Sequence, residues 1–230
     1  FRAARARGVS VGFEASVCGG IPIVRALAAG LAGDRVESLR GILNGTCNYV
    51  LTRMGEGGLS FDEALREAQE RGFAESDPSL DVDGADAAHK LKILAELAFG
   101  VSLPPGCVEV EGLRGVGRRE MRAAARRGRV LKHVAVARDL GSRVELRVGP
   151  ELLPRDHPLA QVRMEDNAVL VRGAAAGELF FRGKGAGGAP TASAVLSDII
   201  ELSRPPAISS YRAGRGTTKY GKLAPCRGGR

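Results

Sequence analysis

Apolar residues recur along this chain at two spacings, and the changes between them mark out its elements. Residues 9–17, VSVGFEASV, alternate well enough for a strand, which Cys18-Gly19-Gly20 breaks. Pro22 suits the first turn of a helix through IVRALAAGL. After Gly33-Asp34, VESLRGIL reads as a second strand, and the small and polar residues Asn44-Gly45-Thr46 open a helix whose tight N-terminus suits a ligand. Ser60 and Glu63 have the spacing of a capping box. The helix they start, FDEALREAQERG, buries Phe61, Leu65 and Ala68, and Gly72 terminates it. From about Asp83, Ala87, Leu91, Leu94 and Ala98 recur at helical spacing up to Phe99-Gly100.

Residues 117–129, GRREMRAAARRGR, form a short basic helix. The runs VLKHVAVAR, RVELRVG, NAVLVRG and ELFFRG follow, separated by turn residues, and read as antiparallel hairpins. Residues 183–188, GKGAGG, precede a helix through TASAVLSDIIEL. Gly183, Gly185 and Gly188 satisfy G-x-G-x-x-G, but the second strand and acid of a dinucleotide-binding unit do not follow. The run reads instead as a glycine loop at a helix N-terminus, where free N–H groups can face a phosphate or an amide. Residues 204–230 read as a disordered basic tail. These elements predict an α/β fold of α+β-like kind: a mixed or antiparallel sheet with helices packed on one face.

Composition narrows the function classes. A chain of 230 residues, 44% hydrophobic, can bury a proper core as one or two domains. It has no run long enough to span a bilayer and no apolar signal-peptide core, so a cytoplasmic location is expected. Cys18, Cys47, Cys107 and Cys226 form no C-x-x-C pair, which argues against zinc and for reduced thiols. Nothing orients Cys47 with His89 or His133 as a thiol protease pair. The net charge of +8 is uneven: residues 41–111 hold 5 basic and 13 acidic residues, and the surplus of positive charge lies after them. With no tryptophan and 4% aromatics, stacking platforms for nucleic acid are scarce. The basic surplus reads as a solvated face or a site for a phosphorylated cofactor.

The candidate chemistry lies in the acidic zone, at residues 72–90, GFAESDPSLDVDGADAAHK. Glu75, Asp77, Asp81, Asp83 and Asp86 precede Lys90 there, and the first half reads as loop. Asp86 and Lys90 are four apart, so they share one helical face. Such a pair is also a common surface ion pair worth about a few tenths of a kcal/mol. Only six of the 34 basic residues are lysines, however, and a lysine, unlike an arginine, can surrender its proton. The stretch therefore suits a cationic substrate held beside an acid/base group. Near residues 14–22, a strand, a glycine turn and a helix start could direct carbonyls, with the Glu14 carboxylate, at a small cation. An ordinary strand-to-helix turn fits that spacing as well.

Four motifs in order, FEASVCGGIPIV (13–24), GILNGTCNYVLTRM (41–54), EAQERGFAESDPSLDVDGADAAHKLKILAELAFG (67–100) and GKGAGGAPTASAVLSDII (183–200), give the chain its resemblance to homoserine dehydrogenase over roughly residues 9–203. The part it resembles is the catalytic and dimerisation region. The resemblance implies NAD(P)-dependent interconversion of L-homoserine and L-aspartate 4-semialdehyde, in threonine, methionine and isoleucine biosynthesis. It implies Lys90 as proton donor and acceptor, Glu75, Asp86 and Asp81 as substrate-binding acids, and Gly72, Gly185, Gly187 and Gly188 as cofactor contacts. It implies a monovalent cation, sodium or potassium, at Glu14, Val17, Gly19 and Ile21, mostly through backbone oxygens, and a homodimer or homotetramer. Cys18 departs from the family, which usually has glycine there. On this reading residues 1–21 are the last strand and linker of a nucleotide-binding domain otherwise missing, 22–203 are the catalytic and dimerisation domain, and the chain is inactive alone. The rival expectation is a non-catalytic dimerisation or regulatory partner of a full-length enzyme.

Overall fold

The protein is described from a computed structural model covering residues 2–203, so the expected basic tail at 204–230 lies outside the described residues. A six-stranded mixed sheet organises it. Its strands are β1 (Val36–Ile42), β2 (Glu109–Val110), β3 (Arg129–Asp139), β4 (Val144–Pro154), β5 (Asp166–Gly173) and β6 (Gly177–Lys184), in the order β2-β4-β3-β1-β5-β6. Only β2 and β4 pair in parallel; the hairpins β3–β4 and β5–β6 are antiparallel and sandwich β1 between them.

The sheet is covered unequally. On one face Leu39, Ala135, Ala137, Val169 and Val171 pack with helix α6 (Ala85–Phe99) and the helical segment α2 (Ile23–Arg25), which continues as a π-turn over Ala26–Gly30. Helices α3 (Gly45–Gly57), α4 (Phe61–Glu70) and α7 (Arg118–Arg126) form a second apolar cluster with Leu113 and Leu131. On α4 the capping box forms as expected, while Ala64 and Ala68 are the buried positions and Phe61 and Leu65 are half-buried. On the other face, Ile42, Val134, Val136 and Ala168 are covered by the short turn at Pro158–Gln161. Beyond that turn this face carries charge, including the ion pairs Arg138–Glu145 and Arg147–Glu151.

The expected strand at 9–17 does not form. Helix α1 (Arg2–Arg7) comes first, then an extended segment with Val9 and Val11 exposed, then a 3-10 turn at Glu14–Ser16. Alternation alone cannot make a strand, whose N–H and C=O groups need a neighbouring ladder. Here the segment meets helix α8 (Gly188–Leu202) instead: the Glu14 N–H donates to Asp198 Oδ2 at 2.8 Å. Glu14 itself, 3% exposed, turns inward, where its two carboxylate oxygens accept the N–H groups of Val24 and Arg25, both at 2.9 Å. A helix start leaves such donors orphaned, so this long-range carboxylate acts as their cap.

A second buried ionisable group away from the acidic stretch is a lysine. Lys132 on β3 is 3% exposed, and its Nζ donates to Asn48 Oδ1 at 2.9 Å and to the Val162 carbonyl. Burial pushes its pKa down to about 8. The unfolded chain would hold that proton up to about pH 10.4, so between these values it binds more protons than the folded protein. Folding stability contributed by this group therefore rises with pH across that window. Relative to Lys132→Met, the wild-type chain should gain about 3 kcal/mol from pH 8 to pH 10.4. Urea melts of both proteins at those pH values check this; parallel curves would show that the ammonium is not held in a dry site.

Candidate active site

The acidic stretch is more ordered than a loop. After α4, Gly72 takes a left-handed φ of 74°, and the chain runs to a short helix, α5 (Ser79–Val82). Gly84, with φ 88°, then turns the chain into α6. A Cβ at Gly84 would come within 2.8 Å of Val110, so glycine is required there for space as well as conformation. The segment is pinned at its outer end, where the Leu113 N–H donates to the Val82 carbonyl at 2.7 Å.

The five carboxylates separate by their partners. Asp77 accepts the Ser79 N–H at 3.1 Å, at the start of α5. Asp83 takes a two-pronged contact from Arg114, which holds its carboxyl below the usual carboxylate range. Asp81 accepts from Asn44 Nδ2 at 2.7 Å and from Thr46 Oγ1 at 3.0 Å. Asp86 accepts from Lys90 Nζ at 2.7 Å and from Asn44 Nδ2 at 2.8 Å, both on Oδ2. Glu75 is exposed, and among the described residues its carboxylate has no bonded partner. Glu75, Asp77, Asp81 and Asp86, with Leu80 and His89, line a depression of about 240 Å³. Four acids around one depression favour a cation there.

Lys90, its side chain 23% exposed, reaches this depression through Asp86, which lines it. Besides Asp86, its ammonium donates to the Leu43 carbonyl at 3.2 Å. Three N–H bonds on one nitrogen leave one proton without a partner among the described residues. Thus one face of α6 holds a proton source beside carboxylates able to take a substrate's positive charge.

The two glycine turns, expected separately, meet each other. The Gly20 N–H donates to the Lys184 carbonyl at 3.0 Å. A Cβ at Gly19 would lie 2.6 Å from the Gly185 carbonyl oxygen, and one at Gly185 only 2.0 Å from Asn167 Oδ1. Gly187 caps α8 with φ 111°. Cys18 has a left-handed φ of 56°, a conformation that favours glycine, and its Sγ accepts from Asn167 Nδ2 at 3.6 Å. Burial pushes the Cys18 thiol up to about 11. Gly185 and Gly187 thus belong to a loop packed on the Gly19 turn at the start of α8. Gly72 stays exposed at the other end of the acidic segment.

The cation expectation changes in one respect. The Glu14 carboxylate is spent on Val24 and Arg25. Among the described residues no cluster of three or more His, Cys, Asp or Glu side chains could hold a metal. Any cation at Glu14, Val17, Gly19 and Ile21 would thus depend on main-chain oxygens, and that of Ile21 already accepts the Ile23 N–H at 2.7 Å. Cys47 is no nucleophile: it is buried, its thiol donates to the Asp81 carbonyl at 3.2 Å, and burial holds it well above the usual thiol range. His89 is exposed, while His133 is buried with Nε2 3.0 Å from the Glu111 carbonyl. The sequence placed Asn44-Gly45-Thr46 near a ligand but did not join them to the acidic stretch, and the Leu43 carbonyl was missed, since nothing in spacing links residues 43–46 to Asp81, Asp86 and Lys90.

Comparison with known proteins identifies the family and the fold. Residues 22–200 match the family model for homoserine dehydrogenase. The homoserine dehydrogenase of Synechocystis sp. is 48% identical over 206 residues, covering 88% of this chain and 48% of that protein. The homoserine dehydrogenase of Pseudomonas aeruginosa is 46% identical over 204 residues, covering 89% and 47%. The crystal structure of a homoserine dehydrogenase from Thiobacillus denitrificans superposes with a TM-score of 0.88 at 44% identity, covering 94% of this chain and 50% of that one. A hyperthermophilic archaeal homoserine dehydrogenase mutant in complex with NADPH superposes with a TM-score of 0.74 at 34% identity, covering 87% and 58%. The chain spans about half the length of the curated relatives it matches. Sequence, fold and the order of its motifs agree: this chain belongs to the homoserine dehydrogenase family.

Proposed function

We propose that this chain is the substrate-holding and proton-transferring half of an NAD(P)-dependent enzyme that interconverts L-homoserine and L-aspartate 4-semialdehyde. The observation that carries the reading is Lys90: its ammonium is held by Asp86 at 2.7 Å and by Leu43 at 3.2 Å beside an acid-lined depression. The substrate ammonium would lie against Glu75, whose carboxylate has no bonded partner among the described residues, and against Asp86, whose two donors share Oδ2. Its C4 oxygen would take the remaining Lys90 proton. In reduction of the semialdehyde, Lys90 protonates the carbonyl oxygen as hydride reaches C4; in oxidation it receives the hydroxyl proton as hydride leaves. An ammonium paired with a carboxylate suits the first direction directly. The nicotinamide supplies or accepts the hydride when bound. The backbone of Gly185, Gly187 and Gly188, at the N-terminus of α8, and that of Gly72 are the parts of this chain that would face it.

The nucleotide itself needs a further surface. Helix α8 exposes Val195, Leu196, Ile199 and Ile200, and Val9 and Val11 are exposed on the segment that reaches Asp198. We assign this apolar stripe to contact with a nucleotide-binding half, with residues 1–21 as the connection. A monovalent cation at the 14–21 turn, held by main-chain oxygens, a dimeric or tetrameric assembly, and a cytoplasmic location in amino-acid biosynthesis belong to the same reading. Among the described residues no helix is long and apolar enough to cross a membrane.

The test joins the N-terminal half of the Synechocystis homoserine dehydrogenase to this chain and follows NADP-dependent oxidation of L-homoserine. Turnover by the fused protein and none by the chain alone is expected. An inactive but folded fusion would overturn the activity, and robust turnover by the chain alone would overturn the dependence on a second half.

A further inference from the structure

We propose that Asn44 is a positioning residue of this site: its amide nitrogen ties Asp81 to Asp86 and so holds Asp86 where it seats Lys90. The proposal rests on the reading of Asp86 and Lys90 given above. Asn44 lies at the N-cap of α3 and is 5% exposed. Its Oδ1 accepts the Cys47 N–H at 2.8 Å, which fixes the oxygen end of the amide, since a backbone N–H can only donate. The nitrogen therefore faces the acids. Its two protons reach Asp81 Oδ1 at 2.7 Å and Asp86 Oδ2 at 2.8 Å.

Two carboxylates gathered at one atom repel each other, and some donor must offset that. An arginine or a second lysine there would also do so, but it would compete with a substrate ammonium for the same acids. A neutral amide holds both and adds no charge. The bridge also divides the work between the acids. Asp81 Oδ1 takes the Asn44 amide, its Oδ2 shares the single Thr46 hydroxyl proton with the Phe73 carbonyl, and the Asp81 carbonyl takes the Cys47 thiol. Within this proposal Asp81 acts as a strut that orients the Asn44 amide, while still lining the depression. On Asp86 the two donors share Oδ2, which leaves Oδ1 for a ligand. Lys90 is held from the same dipeptide, because the carbonyl of Leu43 accepts its second proton. A shift of residues 43–44 would move both the acid and the lysine.

Asn44→Asp separates this role from that of a simple cap. The new carboxylate still accepts the Cys47 N–H, but both donors are lost and a third acid faces Asp81 and Asp86, with Lys90 the nearest cation. In the fused protein, kcat/KM at about pH 8 should fall about 100-fold, the size expected when a reacting group is misplaced by about 1 Å. The ratio of wild type to variant should shrink as pH falls toward about 5, because the crowded acids take up a proton that can again be donated between them. Melting curves of this chain supply a second reading without substrate: Asn44→Asp should lose more thermal stability at neutral than at acid pH, and Asp81→Asn in the same protein should restore much of it. Wild-type kcat/KM in the variant, or a deficit equal at every pH, overturns the proposal. If the wild-type fusion were inactive, the melts would still decide the bridge, and a pH-independent melting deficit would overturn it.

Discussion

Replacing Lys90 by alanine in the fused protein is expected to lower kcat by about 1,000-fold, within the range that a positioned proton donor contributes. The expectation follows from how the lysine is held. Two of its three protons go to Asp86 and Leu43, and among the described residues no other cation donates to that carboxylate. Alanine at 90 removes the group that would protonate the substrate oxygen and leaves water in its place. The fold should hardly notice. The Asp86–Lys90 pair is partly exposed and spans one helical turn, so it is worth about 1 kcal/mol at most, and Asn44 still donates to Asp86. A fall in kcat with an unchanged melting temperature is therefore the signature. A kcat within about tenfold of wild type would remove Lys90 from proton transfer.

Glu14→Ala should behave in the opposite way, with a large loss of stability. Glu14 lies nine residues before the helix it caps, and its carboxylate is the acceptor for the Val24 and Arg25 N–H groups. Removing it leaves a buried and a half-buried donor without a partner, at about 1–3 kcal/mol for each. For a chain of this size the melting temperature should drop by about 5–15 °C. Glu14→Gln retains one carbonyl acceptor and should recover part of the loss. Melting with and without added sodium or potassium separates the cap from a cation ligand. If the carboxylate held a cation, the salt-dependent part of the stability would vanish in the variant and little else would change. Burial raises the Glu14 pKa, and the Arg25 and Val24 N–H groups oppose that rise more than the Arg25 charge does.

Much of the fold was legible because it is written in local periodicity. The capping box of Ser60 and Glu63, the helical recurrence of Ala87, Leu91 and Leu94, and the alternating runs of β3 to β6 each depend on residues a few positions apart. Residues 9–17 misled for the same reason. Their alternation is real, but a strand exists only with a neighbour, and the neighbour here is Asp198 on α8. The acidic stretch was read as loop through Ser79–Val82 because Pro78 and the aspartates mask a single helical turn.

The sequence by itself determined the family, most of the elements and the adjacency of Asp86 and Lys90, since an i, i+4 pair on a helix needs nothing beyond the helix to meet. Only the tertiary structure decided what that pair does. It brought Asn44 and Leu43 to it from more than forty residues away, set Asp81 against the same Asn44 amide, committed Asp83 to Arg114 and Glu14 to the start of α2, and locked the Gly19 turn against Gly185. The physical reason is that spacing encodes which face of an element a residue occupies. The partner it finds there is set by packing, which leaves a buried donor only the acceptors that folding places beside it.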